Sequence, residues 1–177
     1  MTFPAIFILI WCSPFQMSSK EAFIDIVRAN EGLIYKVAKV YTNSREDEQD
    51  LYQEIVYQLW KSFDSFRQES KVSTWMYRVA LNTSIAHLSK HKKRGNQVPI
   101  DYALLSRVEQ YDPLTEERIG ILYAQIKDLN TVEKGLILLY LEGKNYEEIA
   151  SITGFTVTNV GTRLSRIKQK LKSQIIK

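Results

Sequence analysis

The sequence predicts an all-α protein of two small helical domains joined by a linker. Apolar residues recur at helical spacing almost everywhere after residue 17, the primary signature of amphipathic helices. Only 7 Gly and 4 Pro punctuate 177 residues, which argues against a many-turned β fold. The periodicity is lost over one long stretch, Gly95 to Tyr111 around Pro99, which reads as the linker. The expected units are residues 17–94 and 112–177, each of small-domain size.

Residues 1–16 contain an apolar run, Phe3 to Trp11, bounded by Pro4 and Pro14. No Lys or Arg precedes it, as a signal peptide would require, and it falls short of the about 20 apolar residues of a membrane span. It is expected to be an extension outside the fold, with a misassigned start codon as one origin and a short membrane-associating segment as the alternative. Ser19 then offers a helix cap. Phe23, Ile26, Val27, Leu33, Ile34, Val37, Ala38 and Tyr41 follow at helical spacing. "TNSREDEQD" reads as a polar break. "QDLYQEIVYQLWKSF" carries Leu51, Ile55, Leu59 and Trp60 or Phe63 on one stripe. "DSFRQESKV" reads as a loop. Ser73 and Thr74 offer a cap for "WMYRVALNTSIAHLSKHKKR", whose stripe is Trp75, Val79, Ile85 and Leu88. Beyond the linker, Asp112 as cap and Pro113 at the first helical position open a helix with Ile119, Leu122, Ile126 and Leu129 in phase. Asn130 with Glu133 and Asn145 with Glu148 make two capping boxes, and Gly143 ends the helix between them.

The net charge of +4 is modest, but its distribution is uneven. Between Arg45 and Glu69 acids outweigh bases. Ser89–Asn96 is purely basic, and from Gly161 to Lys177 there is no acid. One acidic face and two basic clusters suggest two kinds of partner; merely solvated helix faces are the alternative. The single cysteine, Cys12, excludes an internal disulfide and a Cys-based zinc cage, and fits a reducing cytoplasm.

"NYEEIASITGFTVTNVGTRLSRIKQKLK" is the most informative stretch. A short helix, Tyr146 to Thr153, buries Ile149 and Ala150. Gly154 makes the turn and Phe155 fills the corner. A second helix turns Val160, Leu164, Ile167 and Leu171 inward. This is helix-turn-helix spacing. Thr158, Asn159, Thr162, Ser165 and Arg166 then face outward with hydrogen-bonding groups for base edges. Arg163, Lys168 and Lys170 can hold phosphates. An αα-hairpin with a wet, basic outer face has the same spacing, but Gly154, Ala150 and the absence of acid from the second helix favour DNA.

"DEQDLYQEIVYQLWKSFDSF" followed by "STWMYRVALNTSIAHLSKHKKR" resembles region 2 of the extracytoplasmic-function sigma factors of bacterial RNA polymerase. "LNTVEKGLILLYLEG" with the helix-turn-helix resembles their region 4. The resemblance spans about Glu21 to Leu171. It implies a two-domain promoter-recognition subunit with no cofactor. Its partners would be core polymerase (the β′ coiled coil and the β flap), promoter DNA and an anti-sigma factor, often membrane-bound. Asp50, Gln53, Glu54 and Gln58 match the face that docks on the β′ coiled coil. "DSFRQESKV" and the helix after it match the part that captures the separated −10 strand. That capture needs a pocket for an unstacked base and cations for its backbone. Asn82 matches the base-contacting Asn, Phe66 is a candidate pocket wall, and Arg78, Lys90, Lys92, Lys93 and Arg94 can hold phosphates. Trp75 and Tyr77 could stack on bases, although the phase of Trp75 with Val79 favours core packing. Region 4 would read the −35 element through Thr158, Asn159, Thr162, Arg163, Ser165, Arg166 and Lys170.

The chain departs from its relatives at Gly161, where many carry Lys or Arg, and at Ser165, where a longer side chain is common. The strand-capture loop also lacks their usual Gly. Two rival classes account for less of the sequence. A stand-alone helix-turn-helix regulator leaves the acidic helix unexplained. His87 and His91 have zinc spacing, but no Glu follows the first, no third ligand is evident and basic neighbours would repel the ion. No catalytic constellation stands out, so no enzyme activity is expected.

Overall fold

The computed structural model describes residues 19–66, 70–93 and 113–175. Its helices are α1 (Ser19–Ala29), α2 (Glu31–Tyr41), α3 (Arg45–Phe63), α4 (Val72–Lys93), α5 (Pro113–Lys127), α6 (Thr131–Leu141), α7 (Tyr146–Thr153) and α8 (Val157–Ile175), with no strand among the described residues. The N-terminal extension and the linker expected at 95–111 lie outside those residues. Among the described residues no helix is long and apolar enough to cross a membrane.

In the first lobe α2, α3 and α4 pack against one another and α1 lies on α3. Its core is Ile34, Val37, Leu51, Ile55, Leu59 and Met76, all fully buried. Phe23 ties α1 to this core by edge contacts with Trp60 and Phe63, ring centroids 5.0 and 5.3 Å apart. The sequence stripe of α3 therefore continues through Phe63, while Trp60 stays 44% exposed.

Several element boundaries differ from the sequence reading. The first periodic run is two helices, broken at Asn30, whose side-chain amide donates to Ile26 O at 2.9 Å. Ser19 is the first residue of α1 rather than its cap. Helix α3 begins earlier than the "polar break" suggested, because the Ser44 hydroxyl accepts the Asp47 N–H at 3.1 Å and caps it. Ser73 and Thr74 lie inside the first turn of α4, where Thr74 and Trp75 both donate to Lys71 O.

The buried face of α4 also differs. Met76, Tyr77, Ala80, Leu81, Thr83 and Ser84 are buried; Trp75, Val79 and Leu88 are partly buried, and Ile85 is exposed. The cause is that α4 packs against α2 and α3 on one side and α7 on another, so its buried arc is wider than one stripe. The hydroxyls caught in that arc bond back one turn, Thr83 to Val79 O and Ser84 to Ala80 O, each at 2.8 Å. This back-bonding leaves neither of those groups unpaired.

In the second lobe α6, α7 and α8 enclose Leu136, Leu139, Ile149, Val160, Leu164 and Ile167, with Ile126 of α5 against them. Both capping boxes form, with Asn130 accepting from Glu133 N–H at 2.9 Å and Asn145 from Glu148 N–H at 2.8 Å.

Leu139→Ala, at a site with no solvent exposure, is expected to lower stability by about 2–5 kcal/mol. Asn145→Ala should cost about 0.5–2 kcal/mol through loss of the cap. Urea unfolding followed by circular dichroism measures both.

Candidate nucleic-acid interface

The short helix α7 is bounded by chemistry at both ends. Asn145 and Glu148 close its start. At its end Gly154 adopts φ 78° and donates to Ala150 O at 2.8 Å. An added Cβ on Gly154 would meet nothing within 4 Å, so the left-handed backbone and not space requires glycine. The chain then turns into α8, where the Thr156 hydroxyl accepts the Asn159 N–H at 3.3 Å. Val160, Leu164, Ile167 and Leu171 are buried along the inner stripe, as the spacing predicts.

On the outer face Thr158, Thr162, Ser165, Arg166 and Lys170 are exposed, while Asn159 and Arg163 are partly buried. Asn159 and Arg163 form one unit. Arg163 Nε donates to Asn159 Oδ1 at 2.7 Å, and its guanidinium lies 4.9 Å over the Phe155 ring. That grip orients the fork and leaves its terminal nitrogens for an oxyanion. Thr162 donates to Thr158 O at 3.0 Å, which keeps its lone pairs available to a donor. The C-terminal cations turn back on the lobe: Lys170 reaches Glu133 at 3.4 Å and Lys168 sits 4.7 Å over Tyr140. Gly161 faces the α7 crossing, where an added Cβ would touch the Tyr146 ring at 3.5 Å. Its lack of a side chain thus bears on helix packing as well as on the missing cation.

In the first lobe Phe66 stacks on Trp75 with centroids 4.8 Å apart and planes at 26°. Trp75 is therefore shared between the core edge and an aromatic wall. Tyr77 is buried, so it is not a base-stacking group; its hydroxyl donates to Glu142 at 3.2 Å. Burial, then the neighbouring Glu142, hold its phenol well above its ordinary pKa. Arg78, Asn82 and Lys90 are exposed on α4. Arg78 is committed to the carbonyl of Ser151 in α7. Lys92 and Lys93 belong to the last turn of α4, but their side chains, and all of Arg94, lie outside the described residues.

Asn82 and Lys90 share an open groove of about 880 Å³ with Asp50, Gln53, Glu54 and Gln58 on α3. In the sequence these are separate sets; the α3–α4 packing makes them opposite walls. Gln58 donates to Glu54 at 2.8 Å and so presents an ordered polar pair. His87 in the same groove pairs with Asp47 at 2.9 Å. The second His of the zinc spacing, His91, has its side chain outside the described residues.

A second groove, of about 420 Å³, escaped the sequence reading. It lies between α1 and α3, lined by Phe23, Ile24, Tyr52, Val56, Tyr57 and Trp60 among others. Its signal was a second apolar stripe on α3, Tyr52–Val56–Trp60, one position after the buried stripe Leu51–Ile55–Leu59.

Similarity to known proteins follows this division of the chain. Residues 26–94 match the Sigma-70 region 2 family and residues 119–171 the Sigma-70, region 4 family. The chain is 30% identical over 177 residues to the ECF RNA polymerase sigma-E factor of Haemophilus influenzae, covering 90% of each protein. It is 25% identical over 165 residues to RNA polymerase sigma factor SigV of Bacillus subtilis, covering 92% of this chain and 96% of that one. Two solved structures share the fold. RpoE of Bartonella quintana, determined with the anti-sigma factor NepR, superposes with a TM-score of 0.68 at 20% identity, covering 88% of this chain and 95% of that one. CnrH, determined with the cytosolic domain of CnrY, superposes with a TM-score of 0.63 at 19% identity, covering 88% of both. A lobe with an acidic groove and an aromatic wall, a second lobe ending in a basic helix-turn-helix, and matches in that order make this chain a member of the extracytoplasmic-function branch of the sigma-70 family, a sigma factor that directs RNA polymerase to promoters.

Proposed function

We propose a division of labour between the lobes. Helix α8 enters the major groove of the −35 element. Thr158, Thr162, Ser165 and Arg166 address base edges, while the Asn159–Arg163 unit addresses the backbone and an adjacent base. The observation that carries this is the pairing of a glycine-turned, doubly capped α7 with an α8 whose exposed face is hydroxyl, amide and cation, without acid. Lys170 holds a phosphate only after leaving Glu133, so its contribution is smaller than its charge suggests.

The first lobe captures the −10 strand. Asn82 hydrogen-bonds an unstacked base, the Phe66–Trp75 pair forms the wall it rests on, and Arg78, Lys90, Lys92, Lys93 and Arg94 hold the strand backbone. Asp50, Gln53, Glu54 and Gln58 dock on the β′ coiled coil, and the second lobe meets the β flap. The groove shared by Asn82 and the docking residues supports coupling between polymerase binding and strand capture, because one partner orders both walls. An anti-sigma factor is proposed as a further partner, in keeping with the Bartonella quintana RpoE structure, which was solved with the anti-sigma factor NepR. Action on the transcription apparatus supports a cytoplasmic location. Residues 17–94 and 112–177 are proposed as the functional units.

Promoters selected from a random library with reconstituted holoenzyme test this reading. Thr162→Ala or Arg166→Ala should weaken use of the best −35 element by about 1–3 kcal/mol and flatten discrimination among −35 variants. An unchanged ranking and activity across those variants would refute the assignment. Asn82→Ala should leave −35 duplex binding intact but reduce permanganate reactivity of the opened −10 region. Glu54→Lys should reduce association with core polymerase in a pull-down, and undiminished association would remove Glu54 from the docking face.

A further inference from the structure

The contacts proposed above use one residue, Gln53, of the groove between α1 and α3. Apart from Lys20, the rest of its lining is apolar or aromatic. Trp60 and Tyr57 are 44% and 57% exposed there. Both ends of the groove are held from behind. Trp60 meets the buried Phe23 ring edge-on with centroids 5.0 Å apart, and Tyr52 lies on Tyr35 of α2 at 4.5 Å. Walls braced in this way lose little freedom when a partner is seated between them. The volume of about 420 Å³ falls within the about 300–1,000 Å³ of clefts that bind ligands. Aromatic rings exposed together in such a cleft mark a place where an apolar partner docks.

The chain carries a matching segment beside it. Residues 3–11, "FPAIFILIW", contain seven large apolar side chains, and no charged side chain occurs before Lys20. The groove begins where that segment rejoins the fold. Ser19 opens α1, and Lys20, Phe23 and Ile24 of the same helix line the groove. The Ser19 hydroxyl donates to Asp64, the C-cap of α3, at 3.5 Å, so the chain enters at the Trp60 end. From Trp60 to Tyr52 the groove follows α3 for about 12 Å, at about 1.5 Å per residue. The connecting residues 12–18 reach at most about 25 Å, enough to turn back and lay the segment along that length. A tether so short gives an effective concentration on the order of millimolar, which favours the chain's own groove over that of a second copy. A membrane fits less well. The run is too short to span one, and residues 1–19 offer no Lys or Arg to anionic headgroups.

We propose that residues 3–11 fold back into the α1–α3 groove and cover Tyr57 and Trp60. Gln53 and Tyr57 line this groove and the α3–α4 groove as well. The seated segment therefore borders the face assigned to the β′ coiled coil and competes with polymerase for it. Only this competition rests on the functional reading above; the docking rests on the groove and the segment.

The single cysteine, Cys12, directly follows the segment, so a thiol-reactive benzophenone attached there on the full chain reports where the segment lies. Irradiation of the monomer should give an intramolecular cross-link to α1 or α3 at the groove, mapped by peptide mass spectrometry. F7S, I8S and I10S combined alter the segment and no residue of the helices, and should lower the cross-link yield several-fold. Y57E, at an exposed site where substitution leaves a fold intact, should lower it too by placing a charge in the groove. The triple variant should also associate with core polymerase several-fold faster. A cross-link found only between two chains, one that moves to lipid when phosphatidylcholine–phosphatidylglycerol vesicles are added, or one elsewhere on the fold overturns the docking. So does a yield unchanged in both variants, or native protein whose intact mass begins at Met17. An unchanged association rate in a triple variant that has lost the cross-link overturns the competition alone. A chain that cross-links as expected but neither binds core polymerase nor initiates overturns the functional reading and the competition, while the docking stands.

Discussion

Helix α4 must satisfy three neighbours with one cylinder, and much of the structure follows from that constraint. It packs on α2 and α3 within its own lobe and on α7 of the other. Ala80 and Ser84, both small and fully buried, allow close approach along its inner side. The hydroxyls of Thr83 and Ser84 are accommodated there because each bonds to a carbonyl of its own helix. What remains exposed is a strip carrying Arg78, Asn82 and Lys90. A helix fixed so firmly is a rigid platform for the residues proposed to hold a separated strand, since sites on packed helices are more precise than sites on loops.

The polar character of the lobe contact has a physical origin. A half-buried cluster of Lys39 on α2, Glu48 on α3 and Lys127 on α5 spans it. Burial pushes the Glu48 carboxyl up, against the pull of Lys39, Lys127 and Arg45, while burial lowers both lysines. Attraction and desolvation oppose each other in such a set, so it orients the lobes more than it glues them. Lys39 over the Tyr123 ring and Lys144 over the Tyr77 ring add further polar-edged contacts. Domain contacts of this kind resemble transient interfaces between proteins. Each lobe, by contrast, is held by a dry apolar interior.

The two surfaces proposed to handle DNA are built by different means. In α8 the information is local: an inward stripe at helical spacing leaves the outward residues by elimination, and the capped turn before it sets the crossing of α8 on α7. In the first lobe the surface is assembled from separate segments. Phe66 follows α3, Trp75 and Asn82 sit on α4, and Asp50 and Glu54 sit on α3. Only the α3–α4 packing makes them walls of related clefts.

The sequence by itself determined the helical class, the two capping boxes, the Gly154 turn and the inward stripe of α8. Each depends on residues within a few positions of one another, where backbone geometry and periodicity are decided. It misread the start of α3, because a charged segment behind a Ser44 cap looks like a loop until the cap bond is seen. It also found only one edge of the buried face of α4, because periodicity reports one buried side and α4 has two. The fate of Tyr77 and the commitment of Arg78 to Ser151 O were decided only by tertiary structure. Each joins residues more than 60 positions apart, |i−j| being 65 for Tyr77–Glu142 and 73 for Arg78–Ser151. No local pattern encodes which exposed faces of the two lobes will meet.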